Sequence, residues 1–338
     1  MTDDEELTYA DAGVDIEASE AATAALVGAV GDIDESEYAG LLDIGDRYLA
    51  LATDGVGTKL LVAEALGDYS TVGVDCIAMN ANDLVASGVE PVAFVDYLAV
   101  DEPSEAFSEQ VGEGLAAGAE EAGVALVGGE TAVMPEVIKG LDLAGACVGL
   151  APKDAVFPGE AEVGDALVGF PSSGIHSNGL TLAREAATRN HDYDDPFPLP
   201  LEQAPDDEAE RDGDETPTIG EVLLEPTRIY TYLLDHLRGR EVHAAAHVTG
   251  GGWTNLSRMG ALRYEVTDPF DAQPVFEFVQ SEGNVGDEEM HRTFNMGTGF
   301  VVALSEDEAE SLAGETDGRI IGEVAEGDAV AIRGLELD

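Results

Sequence analysis

The sequence predicts an α+β, mixed α/β chain in two domains, on three observations. Strand-like apolar runs alternate with helix-period stretches through the first half. A proline-bearing break over residues 151–163 is followed by a restart of the pattern. The 338 residues also suffice for two cores at roughly 100–200 residues per domain. We therefore expect an N-terminal domain over 1–157, a mixed sheet with helices, and a C-terminal α/β domain over 158–338.

Tyr48 to Thr53 reads as a strand and Asp54-Gly55-Val56-Gly57-Thr58-Lys59 as the tight loop ending it. Val74 to Gly88 follows as a helix with an apolar stripe of Val74, Ile77, Ala81, Leu84 and Val85, leaving Cys76, Asn80 and Asp83 on another face. Pro91 to Val100 is a second strand, Glu105 to Ala122 a helix stopped by Gly123, and Val124 to Val127 a third strand running into Gly128-Gly129-Glu130-Thr131. Leu141 to Leu150 is a fourth. Beyond Pro152 and Pro158, Asp165 to Phe170 begins the second domain as a strand. Helices are expected over Leu180–Thr188, Thr218–Leu237 and Pro274–Gln280, and strands over His243–Val248, Arg263–Val266, Gly299–Leu304 and Arg319–Val324. Asp192 to Glu215, rich in Pro, Asp and Glu, reads as a solvated surface excursion.

Composition narrows the function classes. Fifteen basic against 70 acidic residues give a formal charge of −55, which repels the phosphate backbone of nucleic acid and anionic membranes. Lysine occurs only at 59, 139 and 153, and acid is spread along the chain, a pattern that looks like adaptation to a very salty cytoplasm. In molar salt the Debye length is about 3 Å, so self-repulsion is screened. The acidic start, Met1-Thr2-Asp3-Asp4-Glu5-Glu6, and the lack of a long apolar run predict a cytoplasmic location without membrane association. Cys76 and Cys147 have no metal-ligand spacing and are expected to be buried thiols.

Walker-A, H-E-x-x-H and G-x-S-x-G signatures are absent from the sequence. Five polar segments remain, four of them glycine-bearing and set where a predicted strand hands over to a loop or helix, and one inside a predicted helix. In Thr53 to Lys59, a carboxylate at a strand end can hold Mg²⁺ and a lysine can supply a point charge, although an ordinary Asp-Gly turn has the same residues. Met79-Asn80-Ala81-Asn82-Asp83-Leu84 places amides and a carboxylate inside an apolar helix, as metal coordination or a solvated face would require. Gly128 to Thr131 adds Glu130 beyond a buried strand, so Asp54, Asp83 and Glu130 could converge on one Mg²⁺. Ser172-Ser173-Gly174-Ile175-His176-Ser177-Asn178-Gly179 and Thr249-Gly250-Gly251-Gly252, with His247 just upstream, offer hydroxyls, imidazoles and free amides to an anion; each histidine alone also fits a structural role.

Taken in order, these segments resemble the phosphoribosylformylglycinamidine cyclo-ligase (aminoimidazole ribonucleotide synthetase) family. The resemblance spans nearly the whole chain, with Thr8-Tyr9-Ala10-Asp11-Ala12-Gly13-Val14-Asp15-Ile16, Pro226-Thr227-Arg228-Ile229-Tyr230 and Arg292-Thr293-Phe294-Asn295 joining the segments above. It implies an enzyme using ATP and Mg²⁺ to close the imidazole ring of formylglycinamidine ribonucleotide. It further implies a homodimer whose N-terminal domains pair their strands in a shared barrel, with the active site near the interface. Asp54, Asp83 and Glu130, helped by Asn82, would hold Mg²⁺ on the ATP phosphates, and Lys59 would neutralise developing charge. Gly55, Gly57, Thr58, Gly128, Gly129 and Thr131 would line the nucleotide. His176 and Asn178 would handle the formyl oxygen or a proton. Ser172, Ser173, Gly174, His247 and Gly250 to Gly252 would contact the substrate, with Arg228 and Arg292 meeting its ribose phosphate. The alternatives are another ATP-using superfamily member, such as a small-molecule kinase, or a non-catalytic nucleotide-binding protein.

Overall fold

The computed structural model describes residues 6–14, 16–30, 38–198 and 216–337. The acidic start through residue 5, and the part of the Asp192–Glu215 excursion beyond 198, lie outside the described residues. The first half contains α1 (Ile16–Val30), β1 (Gly40–Asp43), β2 (Arg47–Gly55), α2 (Lys59–Leu66), α3 (Val72–Ala86), β3 (Glu90–Val100), α4 (Glu105–Ala122), β4 (Ala125–Val133) and β5 (Leu141–Pro152). Its five strands lie in the order β1-β2-β5-β3-β4, with β3 and β4 parallel and the remaining neighbours antiparallel. The mixed sheet is as expected.

The second half contains β6 (Ala166–Pro171), α5 (Leu180–Ala187), α6 (Ile219–Leu223), α7 (Leu233–Leu237), β7 (Val242–His247), a 3₁₀ helix over Gly252–Met259, β8 (Arg263–Val266), α8 (Pro274–Gly283) and α9 (Asp287–Thr293). It ends with β9 (Thr298–Leu304), α10 (Glu306–Glu315), β10 (Arg319–Ala325), β11 (Ala329–Ile332) and β12 (Leu335–Leu337). Seven strands form the sheet β12-β11-β8-β10-β6-β9-β7. Among the described residues, no helix is long and apolar enough to cross a membrane.

Helix α3 is the centre of the molecule. Gly73 lets it press against α4, because a Cβ there would sit 2.1 Å from Leu115 N. Ile77, Ala81 and Leu84 of α3 share a core with Phe94 and Cys147 of the first sheet and with Leu7, Ile175, Phe276 and Phe294. Val85 and Ala86 join Phe170, Tyr230 and Phe300 under the second sheet. The two halves thus share apolar burial, the largest favourable contribution to folding. The connection between them is also docked, since Phe157 N donates to Ser87 O at 3.2 Å. Cys76 and Cys147 are buried free thiols, and burial pushes the Cys147 thiol up to about 12.

Several elements differ from expectation. The single helix expected over Thr218–Leu237 is two short helices, α6 and α7. Thr218 caps α6 with a capping box, and Pro226, lacking an N–H and disfavouring helix before it, ends the run. The third strand continues to Val133, so Gly128 to Thr131 lie within β4 and not beyond it. Asp96 stands beside Gly129, and a Cβ there would meet Asp96 Oδ1 at 2.1 Å. Helix α2, the short strands β1, β11 and β12, and helices α9 and α10 carry no clear periodic signal in the sequence.

Candidate functional site

The end of β2, the polar stretch of α3, the end of β7 and the loops after β6 and α6 meet in one place. Asn80 and Asn82, buried on α3, set this up, each using its amide as a short piece of strand would. Asn80 Oδ1 accepts Asp54 N–H at 2.9 Å while its Nδ2 donates to Asp54 O at 3.1 Å, which draws the β2 end onto α3. Asn82 does the same to the second half: Nδ2 donates to Arg228 O at 2.9 Å and Oδ1 accepts Tyr230 N–H at 2.8 Å. The poor helix formers in this helix are therefore explained by the backbone they hold.

Asp54 and Asp83 form the acidic part of the site. Burial first, and the charge of Asp83 second, push the Asp54 carboxyl up to about 6. His247, at the end of β7 and wholly buried, places Nδ1 2.9 Å from Asp83 Oδ1. Tyr38 donates to His247 O at 3.2 Å and carries the Arg258 guanidinium 4.8 Å over its ring. Burial and a second carboxylate both disfavour a free charge on Asp54, and a divalent cation between the two acids would relieve both. The donor set fits a hard cation.

The wider expected set does not converge in one chain. Among the described residues, no group of three His, Cys, Asp or Glu side chains could hold a metal. Asn82 has both amide functions committed to Arg228 and Tyr230. Glu130, with Gly128, Gly129 and Thr131, lies on β4, an exposed edge strand. Lys59 also differs from expectation, being fully buried and paired with Asp75.

The loop after β6 holds the polar residues expected there. His176 has a left-handed backbone, φ 65°, and its Nε2 accepts Ser173 N–H at 3.1 Å and lies 3.5 Å from Arg228 N. The proton therefore sits on Nδ1, which has no partner and is buried. Burial holds this imidazole well below the ordinary histidine range, with the nearby cations adding to the shift. Asn178 Nδ2 lies 3.6 Å from Met79 Sδ, and a Cβ on Gly250 would meet Asn178 Oδ1 at 3.3 Å. Thr58 and Thr181 hydroxyls pair at 2.9 Å across the two halves. Gly57 is left-handed at φ 69° with open space around it, whereas Gly55 packs towards Leu143 O.

Ser172 donates to Asn295 Oδ1 at 2.8 Å, Ser173 to Pro226 O at 2.6 Å, and Gly174 O accepts from Asn295 at 2.8 Å. In the Gly250-Gly251-Gly252 turn, a Cβ on Gly252 would sit 2.3 Å from His291 O, so this glycine is required by packing. The Arg228 guanidinium is held by Asp317 and by Pro171 O, and Arg292 pairs with Glu288 at 3.2 Å along α9. Sequence reasoning gave no site role to Asp75 or Tyr38, nor to Thr227 and Tyr230, which it met only as part of the 226–230 segment. Asp75 did leave a signal, as an acid set in the apolar run Val72 to Ile77.

Residues 36–151 match the family described as AIR synthase related protein, N-terminal domain, and residues 162–334 match its C-terminal domain. The chain belongs to the AIR synthase related family. Within it, the chain is 47% identical over 331 residues to the phosphoribosylformylglycinamidine cyclo-ligase of Methanosarcina mazei, covering 95% of both chains. It is 46% identical over 320 residues to the cyclo-ligase of Pyrococcus furiosus, covering 90% of both. The fold is also that of AaThiL complexed with AMPPCP and TMP, at TM-score 0.67 and 15% identity over 95% of this chain and 96% of that one.

Proposed function

We propose that this chain is an ATP-dependent phosphoribosylformylglycinamidine cyclo-ligase, converting formylglycinamidine ribonucleotide to aminoimidazole ribonucleotide with release of ADP and phosphate. The observation that carries this is its 47% identity across 95% of a cyclo-ligase of matching length. ATP phosphorylates the formyl oxygen, the amidine nitrogen attacks the activated carbon, and phosphate leaves with that oxygen. Most of the protein's work is then positioning and charge stabilisation. AaThiL, which shares the fold, is complexed with AMPPCP, in keeping with a nucleotide at this site.

Asp54 and Asp83 would hold Mg²⁺, which supplies charge neutralisation on the phosphates. His247 orients Asp83. Thr58 and the left-handed turn at Gly57 border the nucleotide, and Asn178, facing Gly250, meets the substrate. His176 acts as a neutral group, because its Nε2 is already an acceptor for backbone N–H. Incubation of the purified protein with formylglycinamidine ribonucleotide, ATP and Mg²⁺ in molar KCl, followed by mass-resolved chromatography, tests the reading. Stoichiometric aminoimidazole ribonucleotide and ADP are expected; ATP binding without that product removes the assignment.

A homodimer belongs to the same reading. The first sheet leaves Leu51, Val95, Tyr97, Leu126, Val127 and Val133 exposed, more apolar surface than a lone sheet face ordinarily shows to water. A second copy pairing its strands with this sheet in a shared, closed barrel would cover it and bring Glu130 against a neighbour's site. Sedimentation in molar KCl should give twice the 35.2 kDa chain mass. The charge of −55 fits activity that needs concentrated salt and a cytoplasmic setting of high ionic strength.

A further inference from the structure

Lys59 follows directly on the Asp54–Thr58 turn, where a phosphate-facing cation is expected, yet its side chain and that of Asp75 are both 0% exposed. Its Nζ lies 2.9 and 2.8 Å from the two Asp75 oxygens and 2.5 Å from Glu225 O. Two of its three N–H donors are given to Asp75 Oδ1 and Glu225 O, the third side is closed by Asp75 Oδ2, and the fully buried side chain has no exposed surface to offer a phosphate oxygen. Asp75 in turn accepts the backbone N–H of Thr227 at 2.7 Å and its hydroxyl at 2.6 Å. The Thr227 hydroxyl stands 3.4 Å from Ser177 Oγ, and the adjoining Arg228 N–H faces His176 Nε2. Lys59 and Asp75 belong to α2 and α3; Glu225 to Arg228 and His176 to Ser177 belong to the second half.

We propose that Lys59 is a positioning residue, one half of a buried Lys59–Asp75 clasp that fixes the Glu225–Arg228 segment and, through it, the His176–Ser177 loop against the Asp54–Thr58 turn. A buried ion pair is a poor source of net stability, because desolvation offsets its attraction, but it strongly penalises any arrangement in which one charge is left alone. The clasp therefore specifies how the two halves meet. Asp75 is the common acceptor: it holds the ammonium of one half and the Thr227 backbone of the other. The kinetic arm of the test rests on the cyclo-ligase reading; the stability arm does not.

The variants are K59M, D75N and K59M/D75N, with K59R as the charge-conserving control. Melting temperature is measured in molar KCl, kcat and KM for Mg·ATP in turnover, and Mg·ATP affinity directly by calorimetry. The amide oxygen introduced by D75N still accepts the Thr227 N–H, so the double variant leaves no stranded charge. Its melting temperature is expected above that of either single variant. Both single variants should lose kcat by a similar factor, about ten- to a hundredfold, as expected of misplacement without loss of a substrate contact. The double variant should bind Mg·ATP within about threefold of the parent, since no phosphate contact is removed. K59R, whose larger planar fork does not fit three converging acceptors, should behave like K59M.

A phosphate-binding Lys59 predicts otherwise: K59M and K59M/D75N would both weaken Mg·ATP by about thirtyfold or more while D75N would not. That result, or melting shifts that simply add, overturns the clasp. Should K59M alone fail to fold, the contrast between D75N and the double variant still decides it. A parent protein that makes no aminoimidazole ribonucleotide fails the cyclo-ligase reading, and additivity of the melting shifts then judges the clasp separately.

Discussion

His247 places Nδ1 2.9 Å from Asp83 Oδ1 while its Nε2 faces the Asn82 amide nitrogen at 3.4 Å. An amide nitrogen only donates, so Nε2 is the bare nitrogen and Nδ1 carries its proton to the carboxylate. One oxygen of Asp83 is thereby fixed, and the carboxylate keeps its second oxygen for a ligand shared with Asp54. If Asp83 binds Mg²⁺ as proposed, this imidazole would orient the acid without touching the metal.

Removing that support should be visible in the metal requirement. His247→Ala is expected to lower the apparent Mg²⁺ affinity by about ten- to a hundredfold, the usual loss when an orienting partner is removed. Turnover titrated with Mg²⁺ checks it, and an unchanged Mg²⁺ profile would detach His247 and Asp83 from the metal.

Asp54 is held at a cost to the fold. Its carboxyl rises from 3.8 to about 6 on folding, so its contribution to stability is full below pH 3.8 and is lost as pH rises through 6. At pH 7.5, Asp54→Asn should therefore be more stable than the parent, by on the order of 2 kcal/mol, while turnover falls to background. Denaturant melts of both proteins test the sign; a less stable D54N variant would contradict it.

His176 has the opposite acid dependence. Its folded value lies well below 6.5, so at lower pH the unfolded chain takes up a proton that the folded one refuses. Its contribution is present above pH 6.5 and declines on acidification, with a limiting slope of about 1.4 kcal/mol per pH unit. His176→Asn should flatten that acid limb in melts run from pH 7.5 to 5. A limb of equal slope in both proteins would assign the acid sensitivity elsewhere.

Asn82 should behave as a joint. Truncation to Ala leaves Tyr230 N–H and Arg228 O without their partner in a buried setting, at a cost of about 2–4 kcal/mol. Asn82→Asp, which can still accept but cannot donate, should lose activity as well. Near-parental stability in Asn82→Ala would mean that water replaces the amide.

Much of the fold was legible because period alone distinguishes α3 and α4 from the strands beside them. The exceptions have physical causes. Gly128 and Gly129 read as a turn, yet parallel pairing of Val95 with Gly128 and Asp96 with Gly129 keeps them extended. Tyr230 and Thr227 lie in what reads as a helix, and only Pro226 marks the break that frees their backbone for Asn82 and Asp75. In the site, Asp54, Asp83 and His247 could be picked out as polar residues at the ends of apolar elements. The commitment of Lys59 to Asp75 could not, because it depends on how α2 and α3 lie together.

The core that joins Leu7, Ile175 and Phe276 to Ile77 and Phe94 also limits how such a chain can be recombined. A chimaera made by crossing two relatives between Pro152 and Pro158 would inherit two half-cores shaped by separate histories. Each would have to interlock with side chains it had never met. The exchangeable unit is therefore the whole chain, and a graft that respects the connection but ignores α3 should yield little folded protein.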